Sequence, residues 1–236
     1  MVDHDVEGTL EIRQFTMWVN SLELEGVNQI RDIFMEVQNG VLLCKILDRI
    51  EPGVIDWTKV RDQPKNVYEQ NNNQDQFLSA AREKVKLKLI GVQSAAITKG
   101  DKKDVCACLW ILCSYSFKKL VKNLEEPQIV EWANNAVGSN HAPIKNFTDK
   151  ALSDGRFLMH VLASIEPRCI NWDIMMEGDS DEAKKNNAMY VISVARMLHA
   201  CVFCVWDQIA SVHKKSMYIL VTTLMDLKST YVAPKE

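Results

Sequence analysis

The chain has 236 residues, of which 47% are apolar and 25% are charged, as in ordinary soluble globular proteins. Its formal net charge of −3 indicates no particular partner, and we expect it to bind neither nucleic acid nor a membrane. No apolar run approaches the roughly 18 residues of a membrane span, and the acidic start at Asp3 and Asp5 is unlike a signal peptide. These features predict a cytoplasmic protein.

The first part of the chain predicts a helix and then a buried central helix. An apolar stripe at helical spacing runs through Leu10, Phe15, Trp18, Val19 and Leu22. Asn39-Gly40 then interrupts the chain, and residues 41–50 are apolar nearly all round. We therefore expect a buried helix over 41–50 that Pro52-Gly53 stops.

Two further helices are predicted before residue 122. Asn72 or Asn73 can cap a helix that runs to about Val85, and the alternating lysines that follow suggest a helix end and an extended turn. Asp101 can cap a last helix over 102–120, which is again mostly apolar. No alternation with a period of two is convincing, so we expect an all-α fold.

The second half of the chain predicts the same series of helices. Their expected ranges are 127–138, 153–165, 182–198 and 213–228, with Asp181 as the cap of the third. Glu125-Glu126-Pro127 is a short linker candidate, and Pro127 suits the first turn of the helix that follows.

An internal repeat explains this similarity. Residues 39–52 return as 154–167, an offset of 115, and Trp57 and Trp172 each follow five residues after a proline. We therefore predict two domains of one fold, 8–122 and 125–231, each a bundle of about four main helices with short connecting helices. Two copies of one domain favour a binding module over an enzyme, for which one unique cleft would be expected.

Charge is unevenly distributed between the copies. Residues 82–122 carry ten basic and three acidic side chains, whereas residues 1–81 carry seven basic and fourteen acidic ones. A lysine-rich segment of this kind is either a solvated face or a docking patch for an acidic surface.

Catalytic and metal-binding patterns are lacking. The sequence has no G-x-S-x-G, H-E-x-x-H or G-x-x-x-x-G-K motif, so we expect neither an enzyme nor a cofactor. Cys201-x-x-Cys204 has no second pair to complete a zinc site, and reduced thiols inside apolar runs are expected at Cys44, Cys106, Cys108, Cys113, Cys201 and Cys204. His160 and His199 are expected to be core histidines.

Three motifs of the first copy resemble the calponin-homology domain. They are Phe15-x-x-Trp18-x-Asn20-Ser21, Asn39-Gly40-Val41-x-Leu43 and Glu51-Pro52-x-x-Ile55-x-Trp57. The first copy is similar to the leading domain of a tandem actin-binding pair and the second copy to the trailing domain. The segment 180–196 is similar to the last such domain of the fimbrin (plastin) family.

This resemblance implies an F-actin-binding module of an actin-bundling protein, located in the actin cytoskeleton. It also implies that the chain is the second tandem unit of a fimbrin-like protein, either as a fragment of a longer chain or as an unusually short protein, and we expect a monomer. In such proteins the actin face consists of exposed positions within 11–21, 84–103 and 125–137. The implied contact residues are Arg13, Met17, Asn20, Ser21, Lys84, Lys86, Lys88, Lys99, Lys102, Lys103, Gln128 and Glu131. Trp110 and Lys215 are implied to form a latch between the two domains by a cation–π contact.

Two other functions stay open at this point. The chain could be an adhesion or signalling scaffold of the parvin type, which binds helical peptides, and an apolar groove on the second domain would favour that hypothesis. It could also be a microtubule-binding calponin-homology protein. Cosedimentation with filamentous actin distinguishes these hypotheses.

Overall fold

The computed structural model describes residues 4–177 and 180–233, with side chains from residue 10 onward. Within these ranges all regular secondary structure is helical, which confirms the all-α prediction. The chain divides into two compact units, Met1–Ser116 and Phe117–Glu236. None of the described helices is long and apolar enough to cross a membrane.

The first unit is built from four main helices and two short ones. They are α1 (His4–Ser21), α2 (Ile33–Glu36), α3 (Val41–Ile50), α4 (Val67–Ser79), α5 (Ser94–Thr98) and α6 (Lys102–Leu120), whose last residues extend beyond the division between the units. A five-residue π-helical turn, Ala80–Lys84, extends α4. The predicted ranges of α3 and α6 are confirmed.

The second unit repeats this order. Its helices are α7 (Glu126–Val137), α8 (Arg156–Ile165), α9 (Asp181–Met197), α10 (Trp206–Ala210) and α11 (Lys214–Thr230). Short 3₁₀ turns at Gly138–Asn140, Lys150–Leu152 and Trp172–Ile174 connect them. The prediction of about four main helices in each copy is therefore confirmed.

A buried asparagine hydrogen-bonds the backbone of a preceding loop in both units. Asn73 donates from Nδ2 to the carbonyl oxygens of Asn39 and Arg61 at 2.8 Å each, and its Oδ1 accepts from the Arg61 amide. In the second unit Asn187 makes the matching pair of bonds with the backbone of Met176. Each asparagine thus attaches the loop before α4 or α9 to the helix that follows it.

A glycine in the left-handed region starts each central helix beside that asparagine. Gly40 has φ 78° and Gly155 has φ 73°, and they are the residues before α3 and α8. A Cβ on Gly40 would lie 2.5 Å from the Cβ of Asn73. The Asn-Gly and Asp-Gly pairs of the repeat therefore mark a close approach of two helices rather than a simple break.

Two predicted helix starts are wrong. Helix α4 begins at Val67, with Asn66 as its cap, because the Asn66 side chain accepts from the Glu69 amide. Asn72 and Asn73 lie inside the helix, where the polar run does not interrupt it. Ser180 rather than Asp181 caps α9, since the Ser180 hydroxyl accepts from the Ala183 amide.

Two predicted core positions are also wrong. Cys201 and His199 are both exposed, because α9 ends at Met197 and His199 turns the chain with φ 68°. His160 is half-buried. Burial raises the pKa of Cys44, Cys108 and Cys204 to about 12, as expected for structural thiols.

Candidate functional site

The six predicted lysines of the first unit are all exposed. Lys84 ends the π-helical turn and Lys86 and Lys88 follow it. Lys99 follows α5 as its C-cap, and Lys102 and Lys103 begin α6. Among the described residues, none of the six has an ion-pair partner. Lys84 Nζ instead donates to the Val54 carbonyl oxygen at 2.6 Å, so its ammonium group is directed toward the turn after α3.

The segment that carries Lys86 and Lys88 is held by Arg82. The Arg82 guanidinium donates to the Leu89 carbonyl oxygen at 2.8 Å and to that of Val92 at 2.5 Å. Leu89 and Val92 are buried on either side of the exposed Ile90. We call residues 85–92 the clamped loop.

Hydrogen bonds join the clamped loop to the start of α6. The Gln93 amide donates to the Asp104 carboxylate at 3.3 Å, and Ser94 hydrogen-bonds Asp75 on α4. Asp101 caps α6 as predicted, because its Oδ1 accepts from the Asp104 amide. The lysines before α5 and those after it are therefore attached to one hydrogen-bonded framework.

The predicted contact residues on α1 have different environments. Arg13 and Ser21 are exposed, whereas Met17 and Asn20 are half-buried. Asn20 pairs with the backbone of Ile30, donating to its carbonyl oxygen at 3.0 Å and accepting from its amide at 2.8 Å. Asn134 makes the same two bonds with Ile144 in the second unit. Asn20 thus has a structural role that both copies share.

The remaining predicted residues lie on α6, α7 and α11. Gln128 and Glu131 are exposed on α7, and the Gln128 side chain accepts from the Glu125 amide in a capping box at 2.9 Å. Trp110 is half-buried on α6 and Lys215 is half-buried in the first turn of α11. The latch between them stays a prediction.

Several lysines of the second unit have partners, and in the first unit Lys59 pairs with Asp56. Lys214 pairs with Glu126 at 3.1 Å, and Lys118 forms a salt bridge with Glu125. Lys228 donates to the Ser164 hydroxyl, and Lys185 lies 5.1 Å from the centroid of the Trp206 ring. The six lysines of 84–103 differ from these because none of them has an ion-pair partner among the described residues.

A model of the calponin homology (CH) domain matches residues 10–118 and again 123–233. The chain belongs to the calponin homology domain family. The chain is 34% identical to Fimbrin-2 of Arabidopsis thaliana over 94% of its own length and 35% of that protein. It is 26% identical to human Plastin-3 over 92% of its length and 36% of that protein.

A solved structure agrees with these matches. The actin-crosslinking core of Schizosaccharomyces pombe fimbrin is 28% identical, with a TM-score of 0.84, and covers 93% of this chain and 48% of that one. The chain spans about a third of the length of the curated relatives it matches. The calponin homology family consists of structural binding modules. It is not a known enzyme family.

The second calponin homology unit contains an apolar groove. Its volume is about 340 Å³, and its lining includes the apolar side chains of Leu120, Leu124, Trp132 and Met225 together with polar ones such as Lys122 and Asp226. Such a groove is the feature expected of a peptide-binding scaffold, whereas the relatives matched above are fimbrins and plastins.

A histidine pair packs beside Trp172 in the same unit. The His160 ring lies 4.7 Å from the Trp172 ring and 6.2 Å from that of His141, measured between centroids. Burial lowers the pKa of His160, and the nearby His141 and Arg156 lower it further. Among the described residues no group of three or more metal-ligating side chains converges.

Sequence reasoning missed Arg82 and Ile90. The repeat pairs Arg82 with Arg196, which indicates a shared role, but hydrogen bonds from a guanidinium to distant carbonyl groups leave no pattern in a sequence. Ile90 stands in an apolar run with Leu89 and Val92, and its exposure depends on Gly91, which turns the chain with φ 75°.

Proposed function

We propose that this chain is an F-actin-binding module of a fimbrin-like bundling protein and that it binds filaments without catalysis. The observation that carries the proposal is the set of six exposed lysines in the first unit, which have no ion-pair partner among the described residues and lie next to the hydrogen bonds of Arg82 and Asp104. A fixed set of cations suits a filament with an acidic surface, since complementary charge steers association and sets register. The likeness to a fimbrin actin-crosslinking core supports the same function.

The contact surface includes exposed residues of three segments. The lysines of 84–103 supply the charge, Arg13, Met17 and Ser21 extend the surface along α1, and Gln128 and Glu131 add positions from α7. Asn20 acts by holding Ile30 rather than by direct contact. The chain corresponds to the second tandem unit of a longer protein, acts as a monomer, and is located in the cytoplasm at the actin cytoskeleton.

High-speed cosedimentation with filamentous actin at two salt concentrations tests the proposal. Reversal of Lys84, Lys86, Lys99, Lys102 and Lys103 to Glu should abolish most binding. The matched reversal of Lys184, Lys185 and Lys228 in the second unit should have little effect. Raised salt should weaken binding by the unsubstituted chain, because exposed charges are screened. Equal losses of filament binding from both sets of substitutions, or binding that does not change with salt concentration, would refute the proposed lysine contact.

A further inference from the structure

The clamped loop has an exposed apolar side chain at its tip. Ile90 is 88% exposed, although Leu89 and Val92 beside it are 3% and 5% exposed. The two buried neighbours anchor the loop in the unit, and Gly91 makes the turn between them with φ 75°. Ile90 is thereby held outward in a fixed position, which distinguishes it from an apolar residue on a mobile chain end.

The loop is shaped before any partner arrives. Arg82 holds the carbonyl groups of Leu89 and Val92, and the Leu87 amide donates to the Ala81 carbonyl oxygen at 2.8 Å. A segment that is ordered in advance loses little conformational entropy on binding. Lys86 is held with φ 65°, an unfavourable conformation for a residue with a side chain.

The second unit supplies a comparison within the same chain. There Arg196 reaches the Val202 carbonyl oxygen at 3.4 Å, and the exposed residues after α9 are His199 and Cys201. This segment contains neither a lysine nor a large exposed apolar tip. The combination of a two-carbonyl clamp, flanking lysines and an outward isoleucine belongs to the first copy only.

We propose that Ile90 is an apolar anchor of the actin contact, positioned by Arg82 and preceded in the same loop by the exposed Lys86 and Lys88. This inference rests on the proposed function and adds to it that affinity depends on a nonpolar recess in an acidic filament surface. Interface energy is typically concentrated in a few buried anchors, while surrounding charges govern encounter and specificity. The lysines then control the salt dependence of binding, and Ile90 controls its strength.

The decisive variant is Ile90→Ser in the full 236-residue chain, measured by cosedimentation with filamentous actin. If Ile90 becomes buried in the complex with the filament, its loss should weaken binding roughly tenfold or more. The slope of log Kd against log salt should not change. The matched control is Val67→Ser, because Val67 is 61% exposed in the same unit but lies at the start of α4. The conservative variant Ile90→Leu should keep most of the affinity of the unsubstituted chain.

A second pair of variants tests the positioning role of Arg82. Arg82→Lys keeps the charge but cannot hold both carbonyl groups, so hydrogen exchange within 85–92 should accelerate and binding should weaken several-fold. Arg196→Lys should leave binding unchanged. A loss of affinity in Arg82→Lys without faster exchange in the loop would overturn the positioning role.

The outcomes separate the two claims. If the unsubstituted chain sediments with filaments and Ile90→Ser binds equally well, the anchor is refuted while the proposed function stands. Equal weakening by Val67→Ser and Ile90→Ser would also refute the anchor. If the unsubstituted chain does not sediment with filaments, both claims fail.

Discussion

Replacement of Lys86 by glycine should stabilise the first unit and weaken binding at the same time. Lys86 follows the π-helical turn with φ 65°, which costs an L-residue about 1–2 kcal/mol. Glycine relieves this strain but adds flexibility to the unfolded chain, which offsets about 0.4–1 kcal/mol. The expected net gain in the free energy of unfolding is about 0.5–1 kcal/mol. With a urea m-value of about 1.5 kcal/mol per M, the midpoint should rise by roughly 0.5 M.

The second unit provides the matched control for this substitution. His199 turns the chain after α9 with φ 68°, so His199→Gly should stabilise its own unit by a similar amount without affecting the filament contact. Lys88→Ala should weaken binding without the gain in stability, because it removes a charge and relieves no strained turn. Urea unfolding combined with hydrogen-exchange mass spectrometry reports the two units separately.

Two results would refute the reasoning. A first unit that is no more stable in Lys86→Gly would show that the left-handed turn is not strained. A stabilised variant that binds filaments as well as the unsubstituted chain would show that the strained lysine serves no binding function.

Further outcomes are expected. Gly40→Ala should lower the free energy of unfolding by about 3 kcal/mol, because its Cβ would lie 2.5 Å from that of Asn73. Gly53→Ala, with nothing within 4 Å, should cost about 1 kcal/mol. Because burial lowers the pKa of His160, the unfolded state binds its proton first, and the second unit should lose stability as pH falls below the ordinary 6.5. His160→Gln should reduce this loss in thermal melts. Low-speed sedimentation should leave filaments in the supernatant, since crosslinking needs two sites, and pelleting by a chain shown to be monomeric would contradict this. Lys215→Glu should raise actin affinity and lower the melting temperature if the latch with Trp110 exists, and no change in either would refute the latch.

The parts of the fold that the sequence predicts are those in which local chemistry and packing agree. The apolar run 41–50 sits between Gly40 and Pro52, so both ends of α3 could be read directly. The start of α4 could not, because Asn71, Asn72 and Asn73 resemble a cap although Asn73 serves a distant loop. Tertiary hydrogen bonds of this kind override local propensity, and they leave no signal at neighbouring positions.

The candidate site divides in a similar way. Charge counting located the lysines because net charge is a property of composition, and the structure shows that all six are exposed. The engagement of Lys84 with Val54 and of Asn20 with Ile30 depends on contacts across 30 and 10 residues. The resemblance to a family names positions on a face, but it does not distinguish a side chain that contacts a partner from one that supports the fold.

The two units share the same internal contacts, so a surface loop of one unit could be placed on the other. Gly40 and Gly155 occupy equivalent positions in the two copies, and so do Asn73 and Asn187. In each copy the glycine lies close to the asparagine, which hydrogen-bonds the backbone of a loop. The exposed loop lies outside these fixed points, so selection could rewrite it in one copy while the interior remained unchanged. A chimera that carries residues 85–92 in place of the segment after α9 would test whether the filament contact proposed for this loop can be grafted onto the second copy.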